Sequence, residues 1–152
     1  MLRNIYSIHH IGYYCKKHKI PIVPQILAIV KRILFPACDI PFTAQIGGGG
    51  ARFPHRAIGV VIHEHAVIGA NVKIETNVTI GGARGKGVPI IGDNCLIGTG
   101  ASIIGGVVIG DDVIIGAGAV VVNNVPDGSI VVGVPAKVIK SVPDEWLGIP
   151  KT

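Results

Sequence analysis

The sequence predicts a mainly β fold: a parallel β-helix of triangular coils with a short α-helical segment before it. Three observations carry that expectation. Isoleucine recurs every six residues, at Ile62, Ile68, Ile74 and Ile80, then at Ile91, Ile97, Ile103, Ile109 and Ile115, with Val121 continuing the series. The next residue is most often glycine, as at Gly69, Gly81, Gly92, Gly98, Gly110 and Gly116. The chain is 49% apolar yet only 5% aromatic, and 22 of its 152 residues are Gly, a composition that suits many thin, similar layers. Neither a 3.6-residue helix nor a long period-two strand keeps a period of six in phase.

From the N-terminus, residues 1–36 read as a helical cap. Ile5, Ile8 and Ile11 suggest one helix; Ile26, Leu27, Ile29, Val30, Ile33 and Leu34, after Pro21 and Pro24, suggest a second. A solenoid has to cover its open end, and these helices are placed to do so. Residues 37–137 form the coils, with Ile40 and Ile46 as a less regular start, which gives about four coils. Each hexad is a short strand and a corner. Position five is small or branched (Ala66, Val72, Val78, Cys95, Ala101, Val107, Val113, Ala119) and points inward with position one. Position six points outward. The corners read "GAN", "GDN" and "GDD", residues suited to tight turns. Outward positions form apolar ridges on two walls: Val67, Ile90 and Val108 on one, Leu96 and Ile114 beside Lys73 on the next. Wet ridges of this kind are read as subunit contacts. Residues 138–152 are the C-terminal tail.

Two breaks interrupt the register. Ile80 to Ile91 spans 11 residues, five more than a hexad, and the excess forms the loop "GGARGKGVP". Ile46 to Ile62 spans 16, four more than two hexads, and contains Gly47–Gly50 and His55. Insertions in a solenoid are where binding groups are usually carried. The first loop is not a phosphate loop: its glycine spacing is wrong, and Lys86 is followed by Gly87 rather than Ser or Thr.

A net charge of +5, without Lys and Arg interleaved with aromatics, argues against a nucleic-acid partner and fits a small anionic ligand. Cys15, Cys38 and Cys95 are odd in number, have no C-x-x-C pair, and suit a reducing cytoplasm. The N-terminal residues lack a signal peptide's apolar run, and "ILAIV" at 26–30 is too short to span a bilayer. Of the histidines in "RFPHRAIGVVIHEH", His63 and His65 fall at corner positions and read as exposed; a metal pair there would need a third ligand from a neighbouring chain. His55 lies off the grid, inside the insertion, on a segment stiffened by Pro54.

The hexads, "CDIPFTAQIG", "FPH", "GVVI", "AVIG", "VTIGG" and the closing "GVPAK" resemble the left-handed β-helix hexapeptide-repeat acyltransferases, most closely their serine acetyltransferase branch. The resemblance covers residues 36 to 140. It implies a left-handed coil, acetyl-CoA as cosubstrate and a homotrimer. It implies His55 as catalytic base and Asp39 as the acid paired with it. It also implies that Thr99 and Ala117 line the coenzyme, that Lys137 and Lys140 meet its phosphates, and that Gly82 borders its thioester end. Three features depart from the branch. Only about 36 residues precede the coils, where the branch has a long helical domain. Val88 stands where the branch has a second histidine before the loop proline, and Pro54 stands where Asp usually precedes the base.

The expected reaction is direct acetyl transfer to a small-molecule hydroxyl, L-serine first, in cysteine biosynthesis. A hydroxyl is a weak nucleophile, and an imidazole with an ordinary pKa of about 6.5 is suited to take its proton. No metal is required. A sugar or surface-polysaccharide precursor is the alternative acceptor, and a non-catalytic scaffold the second alternative. A zinc hydrolyase on the same solenoid needs three suitably placed histidines, and none follows His65.

Overall fold

The computed structural model describes residues 5–48 and 50–146. The first four residues of the cap and the last six of the tail lie outside it. Three stacks of short parallel strands make the walls of a solenoid of about four turns. The first wall stacks Gln45–Ile46, Val67–Ile68, Ile90–Ile91 and Val108–Ile109. The second stacks Ala51–Arg52, Val72–Ile74, Leu96–Ile97, Ile114–Ile115 and Ser129–Val132. The third stacks Val61–Ile62, Thr79–Gly81, Ser102–Ile104 and Val120–Val121, with Asp39 bridging to Val61 below.

The six-residue grid sets this architecture. Every position-one residue from Ile62 to Val121 is buried, and so are all eight position-five residues. They fill the prism in layers, and burial of each Ile contributes about 1.5–3 kcal/mol relative to exposure. The corners turn as their residues suggest: Asn71, Asn94 and Asp112 hold φ of 56°, 55° and 56°, the left-handed region that Asn and Asp tolerate best after glycine.

The strand register locates the insertions. Between neighbouring coils the partner lies 18 residues on, as in Ile90↔Val108; across the 81–89 loop the offset is 23, as in Thr79↔Ser102. In the first coil the offset is 22 at Gln45↔Val67, 21 at Ala51↔Val72 and 18 at Val61↔Thr79. The four extra residues are therefore divided. One lies in the glycine corner, and three lie in the turn that carries His55.

Helix α1 (Ile5–Lys17) and helix α2 (Val23–Leu34) form the cap. The buried face of α1 is Ile5, Ile8, His9, Gly12 and Cys15, whereas Ile11 is exposed. Gly12 lets the helix approach Phe42 of the first coil: a Cβ there would stand 2.5 Å from the ring. His9 is 2% exposed, and its Nε2 bonds the Pro41 carbonyl at 2.9 Å. At the other end Lys137–Ser141 folds back antiparallel on Ser129–Val132, so this strand crosses the boundary drawn between coils and tail.

Candidate active site

Among the described residues, the turn after Phe53 has the longest run of positive φ at non-glycine positions. His55, Arg56 and Ala57 hold φ of 50°, 62° and 57° in succession. Each non-glycine residue in that region costs about 1–2 kcal/mol, and such strain is found where surrounding contacts over-determine it, often at functional sites. Those contacts are present here. The side chain of Ala57 is fully buried. The Arg56 guanidinium bonds the Leu34 carbonyl and lies over the Phe35 ring. The Gly59 N–H donates to the Ala37 carbonyl at 2.6 Å. The result is an anchored turn with the His55 side chain exposed at its tip.

Asp39 lies one coil earlier, bridged to Val61 beyond the turn. Its N–H donates to Val60 and its carbonyl accepts from Ile62, both at 2.8 Å. Asp39 and His55 therefore occupy adjacent coils, and both are exposed. Among the described residues the ion pairs are His65–Glu64 and Lys73–Glu75; none joins Asp39 to His55.

The His55 turn begins one long edge of the prism, where the second wall meets the third. Along it, Asn77 N–H donates to Ile58, Gly100 N–H to Thr76 and Gly118 N–H to Thr99, each at 2.9 Å. Thr99 and Ala117 are stacked and exposed on this edge. The edge ends where Val120 N–H meets Gly133 and Ala136 N–H meets Val120, just before Lys137. Lys137 and Lys140 are exposed on the returning strand. Lys137 stands at the end of the edge, opposite Val132, whereas Lys140 pairs with Ile130 further along the returning strand. Small side chains in the corner and a cation at its end suit a long, thin, phosphate-bearing ligand.

Gly82 lies elsewhere, on the edge where the third wall meets the first. Its loop is a tight hairpin: Ala83 N–H donates to Gly87 at 3.2 Å and Lys86 N–H to Ala83 at 2.9 Å. It rests on the next coil, so closely that a Cβ on Gly106 would come within 2.1 Å of the Lys86 carbonyl oxygen. A cavity of about 290 Å³ opens beside Lys86, Gly106 and Asn123. His63 belongs to this edge as well. It is half-buried beside Gly82, not exposed as its corner position suggested; of the pair, His65 is exposed. Gly82, at the foot of the inserted hairpin, stands against the His63 ring, and the hexad grid carries no signal of that. Among the described residues no group of three His, Cys, Asp or Glu side chains is placed to hold a metal ion. No helix there is long and apolar enough to cross a membrane.

A parallel β-solenoid with six-residue layers, an anchored histidine turn and a cationic end to its edge defines a class, the hexapeptide-repeat transferases. A family profile described as "Bacterial transferase hexapeptide (six repeats)" matches residues 89–123. The chain is 42% identical over 135 residues to a serine acetyltransferase of Staphylococcus xylosus, a match covering 87% of this chain and 61% of that protein. Solved structures agree in fold. A Neisseria gonorrhoeae serine acetyltransferase in complex with serine aligns at TM-score 0.76 and 39% identity, covering 86% of this chain and 54% of that one. A Brucella abortus serine acetyltransferase in complex with coenzyme A aligns at TM-score 0.79 and 33% identity, covering 90% and 55%. The chain belongs to the hexapeptide-repeat acyltransferase family, in its serine acetyltransferase-like branch. It spans about three-fifths of the length of the curated relative.

Proposed function

We propose that the protein is an acetyl-CoA-dependent O-acetyltransferase of the serine acetyltransferase type. The observation that carries this reading is the edge itself. It begins at His55, held in a strained and anchored turn, and runs through Thr99 and Ala117 to Lys137. Relatives crystallised with serine and with coenzyme A support the choice of ligands.

His55 takes the proton of the acceptor hydroxyl as its oxygen bonds to the thioester carbon. The C–S bond then breaks, and the imidazolium returns that proton to the departing thiolate. Asp39 orients the ring and stabilises the imidazolium, the role an acid plays behind a histidine base. The coenzyme lies along the edge with its phosphates at Lys137 and Lys140.

The assembly is a homotrimer. Ile90 and Val108 are each 46% exposed on the first wall, and they form one continuous ridge with Val67. In a cyclic trimer each copy offers two different surfaces to its neighbours. The loop edge bearing Gly82 can thus close over the His55 edge of the next copy. Three free thiols favour a cytoplasmic setting.

Thiol release from acetyl-CoA, measured with L-serine and with a panel of sugars, tests the reading. Turnover with serine is expected. Turnover with a sugar alone moves the acceptor to a polysaccharide precursor. No release with any acceptor leaves the non-catalytic scaffold.

A further inference from the structure

We infer that His63 is a further catalytic residue, donating a hydrogen bond from Nε2 to the thioester oxygen as negative charge develops there. The inference rests on the acetyl-transfer reading above. Three observations lead to it.

The first is the ring's place. His63 follows Ile62 into the corner beside Gly82, and its N–H donates to the Ile80 carbonyl at 2.8 Å. A Cβ built on Gly82 would stand 3.3 Å from His63 Cδ2, 3.2 Å from Val88 Cγ1 and 3.2 Å from the Gly87 carbonyl oxygen. The ring, Gly82, Val88 and that oxygen, which accepts from the Ala83 N–H, thus surround one narrow space. Gly82 leaves it free of a side chain, and Val88 brings no polar atom to it.

The second is the tautomer. The backbone N–H of His65 donates to His63 Nδ1 at 3.2 Å. A neutral imidazole whose Nδ1 accepts carries its proton on Nε2. Nε2 is bonded to Cδ2, so the ring edge facing Gly82 is the donor edge. In this tautomer His63 presents an N–H and no lone pair to the space. It is suited to stabilise an oxyanion and unsuited to act as a second base there.

The third is the surroundings. The His65 ring lies 5.7 Å from that of His63, and Glu64, between them in sequence, is exposed and paired with His65. No carboxylate is placed to compete for the Nε2 proton: among the described residues Nε2 has no protein acceptor.

In the reaction the acceptor oxygen bonds to the carbonyl carbon and the C=O electron pair moves onto oxygen. The His63 N–H bonds that oxygen without giving up its proton. The electron pair returns as the C–S bond breaks, and the thiolate takes its proton from His55. Because Gly82 and His55 lie on different edges, His63 of one copy serves the His55 edge of the next.

The test compares His63→Phe with His63→Gln, alongside direct calorimetric measurement of coenzyme A binding. Losing one oxyanion donor costs about 10²–10³ in kcat. His63→Phe is expected to lose about 10²-fold in kcat with coenzyme affinity unchanged. His63→Gln, which keeps an N–H donor, is expected to recover most of it. Co-expressed His55→Ala and His63→Phe chains should regain about a quarter of wild-type activity, because mixed trimers contain intact sites. Near-normal kcat in His63→Phe overturns the inference while leaving acetyl transfer standing. So does a loss confined to KM, a parallel loss of coenzyme binding, or no recovery in trimers of normal size. A wild-type protein with no turnover defeats the acetyl-transfer reading, and this inference with it.

Discussion

The carboxylate of Asp111 accepts the backbone N–H of Asp93, one coil earlier in the chain, at 2.7 Å. The pattern repeats along the corner: Asp93 accepts from Ala70 at 2.7 Å, and Asp127 accepts from Asp111 at 2.9 Å. Each carboxylate satisfies a backbone donor that the change of direction leaves outside the strand ladder. Asp111→Ala should cost about 1 kcal/mol, a fall of about 2–4 °C in Tm, while Asp111→Asn keeps the acceptor and most of the stability. Equal melting of the two variants would show that the ladder contributes nothing.

His9 makes the cap sensitive to acid. Burial lowers its pKa to about 4, with Lys31 and His10 acting in the same direction and its bond to the Pro41 carbonyl opposing them. The Tyr13 and Phe42 rings complete its surroundings. In the unfolded chain His9 titrates near the ordinary value of about 6.5, so between that pH and 4 the unfolded state binds more protons. Stability is therefore full above the unfolded pKa and falls as pH drops towards 4, by about 3 kcal/mol in all. Urea midpoints at pH 7.5 and 4.5 check this, and His9→Phe should flatten the dependence. A variant that loses stability with acid as steeply as the wild type does would exclude His9 as the cause.

His55→Ala should reduce acetyl transfer by at least about 10²-fold, the scale of general-base removal. The exposed side chain contributes little to the coils, so the melting transition should hardly move. A variant with near-full rate would remove His55 from the mechanism.

Gly106→Ala is a probe of the loop. The added Cβ would collide with the Lys86 carbonyl, so the hairpin has to lift off the Gly106 coil and move Gly82 with it. Misplacing reacting groups by about 1 Å costs up to about 10²-fold in rate. The expected outcome is a loss of tenfold or more in kcat with Tm within a few degrees of wild type, read by paired kinetic and melting measurements.

Cys95 should be inert in the folded protein. Burial pushes its thiol up to about 12, and the side chain donates to the Gly110 carbonyl. Cys15 is buried as well, which leaves half-buried Cys38 as the thiol that reacts first. Counting thiols with a chromogenic disulfide before and after denaturation checks this, and Cys38→Ser should remove nearly all of the native signal.

The period of six was sufficient to determine the coils, because inward and outward positions alternate with the local chain direction. From it followed the buried Ile series, the three walls, the apolar ridge of Val67, Ile90 and Val108, and the places where the register breaks. His55 was marked because it fell off that grid. Contacts between stacked coils were a different matter, since they depend on how inserted residues fold back. Only the tertiary structure divided the first insertion into one residue and three, and wound the three into a left-handed turn. It also buried His9 against the first coil, separated Gly82 from the edge of Thr99 and Ala117, set Gly82 against His63 and rested the 81–89 hairpin on Gly106. The repeat is local and can be read along the chain; the neighbours of an insertion are set by packing across coils, which sequence spacing does not encode.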